Sequence, residues 1–134
     1  MSTELFFLTL TALLASAMWI PYVVGSSMHP SESINADFTR PRDLKSVPEW
    51  VHRSHRAHLN LLEQFLPMAA LVLIANQLGV SNTITATCVV VFFWVRVVHA
   101  IGMISGLARF PVRPMIFSAG WICILVFAWQ LLVA

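Results

Sequence analysis

Four long apolar stretches, separated by short polar segments, divide the sequence. They cover about residues 5–24, 47–78, 83–107 and 115–134. A helix needs roughly 20 apolar residues to cross the hydrocarbon core of a bilayer. The second stretch is longer than a crossing requires, so we expect its first turns to project into the headgroups or the cytoplasm. The pattern predicts a single-domain, all-α integral membrane protein with four transmembrane helices.

The composition supports this class and excludes others. Of the 134 residues, 58% are hydrophobic and 10% are charged, which is too apolar for a soluble domain. The formal net charge is only +2, and no basic stripe on a soluble face is apparent, so we expect no nucleic-acid partner. The lipid bilayer is the partner that the composition predicts.

The basic residues are distributed unevenly between the connecting segments. Five of the eight lie between the first apolar stretch and residue 59, where the apolar part of the second stretch begins, namely Arg40, Arg42, Lys45, Arg53 and Arg56. Arg109 and Arg113 lie between the third and fourth stretches, and residues 77–82 carry none. Because basic loops mark the cytoplasmic side, we predict that the long first loop is cytoplasmic and that both termini lie on the opposite side.

The most informative segment is residues 56–67, R-A-H-L-N-L-L-E-Q-F-L-P. On a helix, Arg56, Asn60, Glu63 and Pro67 fall at i, i+4, i+7 and i+11, which places them on one narrow stripe. Lipid cannot satisfy a polar stripe inside a membrane. The stripe is therefore predicted to face other protein, trapped water or a ligand.

The third apolar stretch carries Arg96 and His99 on one helical face. Two interpretations of Arg96 stay open, a structural ion pair with Glu63 on the second helix or contact with a ligand. His99 fits a packed hydrogen-bonding role or a ligand contact equally well. We interpret Cys88 and Cys123, each inside an apolar stretch, as small buried hydrophobic residues, and we expect no metal site.

Three motifs together resemble one family. The second stretch reads R-A-H-x-N-x-x-E-x-x-x-P from Arg56 to Pro67, the third contains R-V-V-H at 96–99, and a turn with Pro111 and Arg113 precedes the fourth. This set resembles the MAPEG proteins, the membrane-associated proteins of eicosanoid and glutathione metabolism. The similarity is greatest to the short bacterial members, which implies a bacterial inner-membrane location.

The resemblance implies a four-helix bundle that assembles as a homotrimer. Glutathione would bind as a cosubstrate between neighbouring subunits near the cytoplasmic face, and lipophilic substrates would enter from the bilayer. Arg56, Asn60, Glu63 and His99 match glutathione-contacting positions. Arg113 matches an arginine that holds the glutathione thiol as thiolate. A nearby cation favours thiolate, which is the nucleophilic form.

Three functional hypotheses follow. The first is a glutathione-dependent transferase or peroxidase acting on small lipophilic electrophiles. The second is a non-catalytic lipid-binding homologue, because Met103 and Phe117 stand where the family commonly has tyrosines. The third, an ion pathway along Arg56, Glu63, Arg96 and His99, rests on the charges alone.

Overall fold

A computed structural model describes residues 1–29, 45 and 47–134, and within these ranges it contains helices and no strand. We number five helices in chain order: α1 (Thr3–Ala17), α2 (Ile20–Met28), α3 (Glu49–Leu78), α4 (Thr83–Ser105) and α5 (Val112–Leu132). Four helical segments are long and apolar enough to cross a membrane, with α1 and α2 together forming the first. The predicted all-α architecture with four spans is confirmed.

The first span is interrupted near Pro21, the residue that predicts a kink or the end of the last turn in the stretch 5–24. α1 ends at Ala17, and α2 begins at Ile20 after a turn at Met18 and Trp19. Pro21 explains the break. It has no N–H to donate to the carbonyl of Ala17, and its ring clashes with the turn before it.

The other three spans begin and end within a few residues of the predicted positions, and glycines end two of them. Gly79 follows α3 with φ of 68°, and Gly106 follows α4 with φ of 80°. Glycine adopts this left-handed conformation without the steric penalty of a side chain. After α3, the N–H of Val80 also donates to the carbonyl of Ala75, 2.9 Å away, which closes the helix end.

Contacts between the helix ends define two ends of the bundle. At the first, which we call the basic end, Arg53 near the start of α3 donates from Nε to the carbonyl of Ile104 near the end of α4. At the far end, the Ser81 hydroxyl donates to Glu4 of α1. Successive spans therefore run in opposite directions, and α3 and α5 run in the same direction.

The core consists of two apolar clusters, one towards each end. α4 packs against α1, α3 and α5. The cluster nearer the far end contains Met68, Val72, Ala75, Cys88, Val89, Phe92, Cys123, Ile124 and Phe127. The cluster nearer the basic end contains Ala15, Met18, Ala57, Leu61, Ala100 and Met103. Along α3 and α4, the buried residues between the two clusters are polar, and they form part of the candidate site.

Candidate functional site

The predicted polar stripe lies on the outward face of α3. Arg56, Glu63 and Pro67 are exposed and Asn60 is half-buried. The opposite side of the same helix is buried in the bundle through Ala57, Leu61, Gln64 and Met68. We call Arg56, Asn60, Glu63 and Pro67 the α3 stripe. The structure brings these four residues together on one surface, as the helical spacing predicts.

Local hydrogen bonding shapes the α3 stripe. The Asn60 side chain donates from Nδ2 to the Arg56 carbonyl at 2.8 Å, so its Oδ1 is left to accept from another group. Pro67 has no N–H, so the carbonyl of Glu63, one turn earlier, lacks its usual helical donor. The α3 stripe therefore offers a cation, a carboxylate and free acceptors on a surface that lipid cannot satisfy.

Exposed leucines flank the α3 stripe. Leu59, Leu62 and Leu66 have exposed fractions of 44%, 39% and 74%. A polar stripe bordered by leucines resembles a protein interface, in which an apolar surround excludes water from central polar contacts. This face of α3 has the composition expected of a surface covered by protein rather than by lipid.

Arg113 lies in the first turn of α5 and is partly exposed. The preceding turn folds back onto α4, where the N–H of Ala108 donates to the carbonyl of Gly102 at 2.9 Å. A side chain at Gly102 would come within 2.9 Å of Ala108 Cβ, so the close return requires glycine there. The N–H of Arg113 donates to the carbonyl of Arg109, which ties Arg113 to this turn.

One hydrogen bond sets the depth of Arg113 relative to the α3 stripe. The Gln64 side chain on α3 donates from Nε2 to the carbonyl of Phe117 on α5, at 3.1 Å. Asn60 lies about one turn before Gln64 on α3, and Arg113 lies about one turn before Phe117 on α5, which runs in the same direction. They therefore lie at a similar depth in the membrane.

A second set of polar residues is buried inside the bundle. Gln64, Arg96 and His99 have exposed fractions of only 4%, 1% and 2%, and we call these three residues the polar layer. Arg96 Nη2 donates to the carbonyl of Ile116 at 3.3 Å. Its Cζ lies 5.8 Å from the ring centroids of both Phe92 and Phe117. Each desolvated cation–π contact contributes about 2 kcal/mol, against a burial cost of several kcal/mol per ion.

Gly120 allows the polar layer to form. A Cβ at this position would lie 2.5 Å from Gln64 Oε1 and 2.8 Å from Arg96 Nη2. The two side chains therefore approach each other where α5 has no side chain of its own. Any larger residue at position 120 would push them apart.

Several polar atoms of the polar layer have no hydrogen-bond partner. They are Gln64 Oε1, Arg96 Nε, Arg96 Nη1 and His99 Nε2. Buried polar groups are nearly always satisfied in native proteins, by protein, water or ligand. The polar layer is therefore a place where a bound molecule or ion would complete the hydrogen bonding.

The predicted ion pair between Glu63 and Arg96 does not form within the chain. Glu63 is exposed on the α3 stripe, while Arg96 is buried in the core. The α3 carboxylate that does form a salt bridge is Glu49, which pairs with Arg53 at 3.2 Å. Because each helical residue turns about 100° from the last, Gln64 rather than Glu63 points towards Arg96.

Gln64 was not among the residues predicted to form the site, although its position in the sequence carries a signal. The buried face of α3 repeats at 57, 61, 64, 68, 72 and 75, which is the apolar periodicity of a packed helix. Gln64 is the polar residue at one of these core positions. His99, which the resemblance matches to a glutathione contact, lies with Gln64 and Arg96 inside the bundle of the single chain, and its contact with a ligand stays a prediction.

Two apolar grooves lie between α4 and α5. One, of about 300 Å³, is lined by Thr83, Ile84, Thr87, Cys88, Val91, Ile122, Cys123 and Val126. The other, of about 340 Å³, is lined by Trp94, Val95, Val98, Met115, Ile116 and Ala119. Cys88 and Cys123 are both free and buried, as their apolar surroundings predict. Neither groove contains a residue of the α3 stripe.

Comparison with known protein families gives a match over most of the chain. The family model described as "MAPEG family" matches residues 5–133 of the 134-residue chain. A search of curated proteins finds no match. The family model thus covers all four spans, both segments that carry the motif residues, and the turn that precedes α5.

Proposed function

Because the chain belongs to the MAPEG family, we propose that it is a glutathione-dependent membrane enzyme that conjugates or reduces small lipophilic electrophiles. Its membership in the MAPEG family and its four long apolar helices make the protein an integral multi-pass membrane protein of a family concerned with glutathione or eicosanoid metabolism. The choice of a glutathione transferase or peroxidase within that family is our proposal, as is its location in a bacterial inner membrane.

The α3 stripe is the observation that carries the proposal. Glutathione has two carboxylates, one ammonium and two amide groups. Arg56 would bind a carboxylate, Glu63 would bind the ammonium, and Asn60 would accept or donate at an amide. These three side chains lie on one exposed face of α3, so a single extended tripeptide would contact all of them.

A second copy of the chain would complete this site. The leucines beside the α3 stripe are exposed in the single chain, and a homotrimer would bury them together with the bound tripeptide. Arg113 lies at a similar depth to Asn60, so a neighbouring subunit would present it to a ligand held on the α3 stripe. His99 is buried in the polar layer of the single chain, and its contact with glutathione stays a prediction of the family resemblance.

In this site, Arg113 would hold the glutathione sulfur as thiolate. A guanidinium close to the sulfur stabilises the anion, and the thiolate is the form that attacks an electrophile. Met103 is buried in the cluster nearer the basic end, and Phe117 turns its ring towards Arg96. Neither has a hydroxyl to share the negative charge, so we expect slow turnover.

Titration of the purified protein with glutathione tests the proposal. We expect wild-type protein to bind and to show the near-ultraviolet absorbance of a thiolate. Arg113→Leu should remove the absorbance and retain binding. Asn60→Ala should weaken binding by about 3- to 10-fold, the usual effect of one hydrogen bond. Arg109→Leu, in the exposed turn, is the matched control and should leave both signals unchanged.

The alternative is a non-catalytic lipid-binding homologue. The observations that favour it are the two apolar grooves between α4 and α5 and the absence of the tyrosine hydroxyls. Binding of glutathione without thiolate absorbance would leave a binding role and contradict the enzyme. Failure to bind glutathione at all would favour the lipid-binding alternative.

A further inference from the structure

Trp94 is a tryptophan at the middle of the membrane. It is the central residue of α4 (Thr83–Ser105), so it lies about 17 Å from either end of the helix. A hydrocarbon core of about 30 Å has its midplane at a similar depth. The side chain is 57% exposed. Tryptophan is enriched at the headgroup level, where its N–H meets water, so a lipid-facing tryptophan at the midplane requires an explanation.

The indole N–H of Trp94 donates to no acceptor among the described residues. The indole packs against the ring of Phe93, with ring centroids 5.3 Å apart, and an aromatic ring is at best a weak acceptor. Lipid tails offer no acceptor at this depth, and an unsatisfied polar group there is costly. A molecule that carries an acceptor inside the hydrocarbon would remove this cost.

Trp94 also lines a groove. It borders the space of about 340 Å³ between α4 and α5, whose other lining residues have aliphatic or thioether side chains. An apolar lining with one well-placed polar group is typical of a site for a lipophilic ligand. The positive edge of the indole N–H is electrostatically complementary to a neutral oxygen acceptor on such a ligand.

The second groove, of about 300 Å³, continues in the same direction towards the far end. On α4 the lining residues of the two grooves include Ile84, Thr87, Val91, Trp94 and Val98, which recur at the spacing of one helical face. We call the two grooves together the α4–α5 seam. From Ile84 to Trp94 the seam is about 15 Å long, which is about the depth of one leaflet. An occupant would therefore place a compact head against Trp94 and an extended apolar tail along α4.

We propose that the α4–α5 seam binds a lipophilic quinone, with its ring beside Trp94 and its tail running towards Ile84. A quinone ring is neutral and planar, and its carbonyl oxygens accept hydrogen bonds, so it satisfies the indole N–H and packs against the indole. Phospholipid esters and fatty-acid carboxylates stay at the headgroup level, because polar and charged groups are costly in the hydrocarbon. Neither groove contains a residue of the α3 stripe, so this site does not depend on the proposed glutathione site.

Three variants separate the hydrogen bond from the groove. Trp94→Phe removes the N–H and keeps an aromatic ring. Trp121→Phe makes the same change at a tryptophan of similar exposure, 53%, which lines neither groove, and it is the matched control. Ala119→Phe fills the groove that Trp94 borders, since Ala119 lines it from α5.

The experiment measures thermal unfolding of the full chain in a neutral detergent, without glutathione, against rising decylubiquinone or decylbenzene. Decylbenzene has the same tail and a ring without an acceptor. A ligand that binds only the folded state raises the melting temperature with its concentration. We expect wild-type protein and Trp121→Phe to bind the quinone about 3- to 10-fold more tightly than decylbenzene, the usual effect of one hydrogen bond. Trp94→Phe should bind the two probes equally, and Ala119→Phe should bind neither.

The infrared carbonyl band of the bound quinone reports the hydrogen bond directly, because a carbonyl that accepts a hydrogen bond absorbs at lower frequency. A saturable low-frequency band should appear with wild-type protein and Trp121→Phe and be absent with Trp94→Phe. If Ala119→Phe does not fold, the two tryptophan variants still decide the question. Equal binding of the two probes by wild-type protein, or equal losses in the two tryptophan variants, would overturn the proposal. A changed oligomeric state in Trp94→Phe with unchanged quinone binding would assign the groove to a second copy of the chain and would also overturn it.

Discussion

At the scale of single residues, one missing side chain controls the polar layer. Gly120 lies where a Cβ would come within 3 Å of both Gln64 Oε1 and Arg96 Nη2. The Gln64 amide nitrogen donates to the Phe117 carbonyl, and Arg96 Nη2 donates to the Ile116 carbonyl. Because both side chains are already anchored to α5, neither can withdraw without losing a buried hydrogen bond.

We therefore predict that Gly120→Ala destabilises the protein by about 1–3 kcal/mol, the usual cost of overpacking a core. Thermal unfolding in detergent would measure the loss. Ser118→Ala, at an exposed position on the same helix, is the control and should melt like the wild type. An unchanged melting temperature for Gly120→Ala would mean that the two side chains move aside freely.

At the scale of secondary-structure elements, a buried carboxylate joins α1 to the link between α3 and α4. Glu4 is only 4% exposed, and its Oε1 accepts from the hydroxyls of Ser81 at 2.9 Å and Thr85 at 2.7 Å. Asn82 caps α4 between these two residues and also donates to Gln130 at the end of α5. The far end of the bundle is therefore connected by side-chain hydrogen bonds across three helices.

Removing this carboxylate should loosen the far end. We expect Glu4→Ala to cost about 1–3 kcal/mol, because it removes the charged acceptor of the Ser81 and Thr85 hydroxyls and leaves Thr85 only the Asn82 carbonyl at 2.9 Å. Glu49→Ala removes a carboxylate from an exposed pair and should change the melting temperature little, since such pairs contribute little. Equal effects of the two substitutions would contradict a structural role for Glu4.

At the scale of the whole molecule, the charges divide the bundle into two unlike ends. Arg53, Arg109 and Arg113 lie at the basic end, whereas the far end is held by Glu4, Ser81 and Asn82 without a basic residue. Basic residues are retained on the cytoplasmic side during insertion. The basic end is therefore predicted to face the cytoplasm.

Labelling of single cysteines tests this orientation. We expect Ser33→Cys, in the long first loop, and Gln77→Cys, at the end of α3, to react with an impermeant maleimide from opposite sides of a sealed membrane. The native Cys88 and Cys123 are buried and should react little with the maleimide. Labelling of the protein without an added cysteine would measure this background. Reaction of both positions from the same side would refute the predicted topology.

Features that depend on local pattern could be predicted from the sequence. Hydrophobic length predicted the number of spans, and helical spacing placed Arg56, Asn60 and Glu63 on one surface. The motif residues also identified the family. These properties could be predicted because each depends on spacing along one helix or on composition, without knowledge of which helix packs against which.

Which polar residues meet across helices depends on how the helices pack. Charge at a similar depth predicts that Glu63 pairs with Arg96, but the rotation of α3 in the bundle directs Gln64 inwards and Glu63 outwards. The same packing separates His99 from the α3 stripe and places Gly120 against Arg96. Rotation about the helix axis depends on the whole set of packed faces, so a charge pattern along the chain does not reveal it.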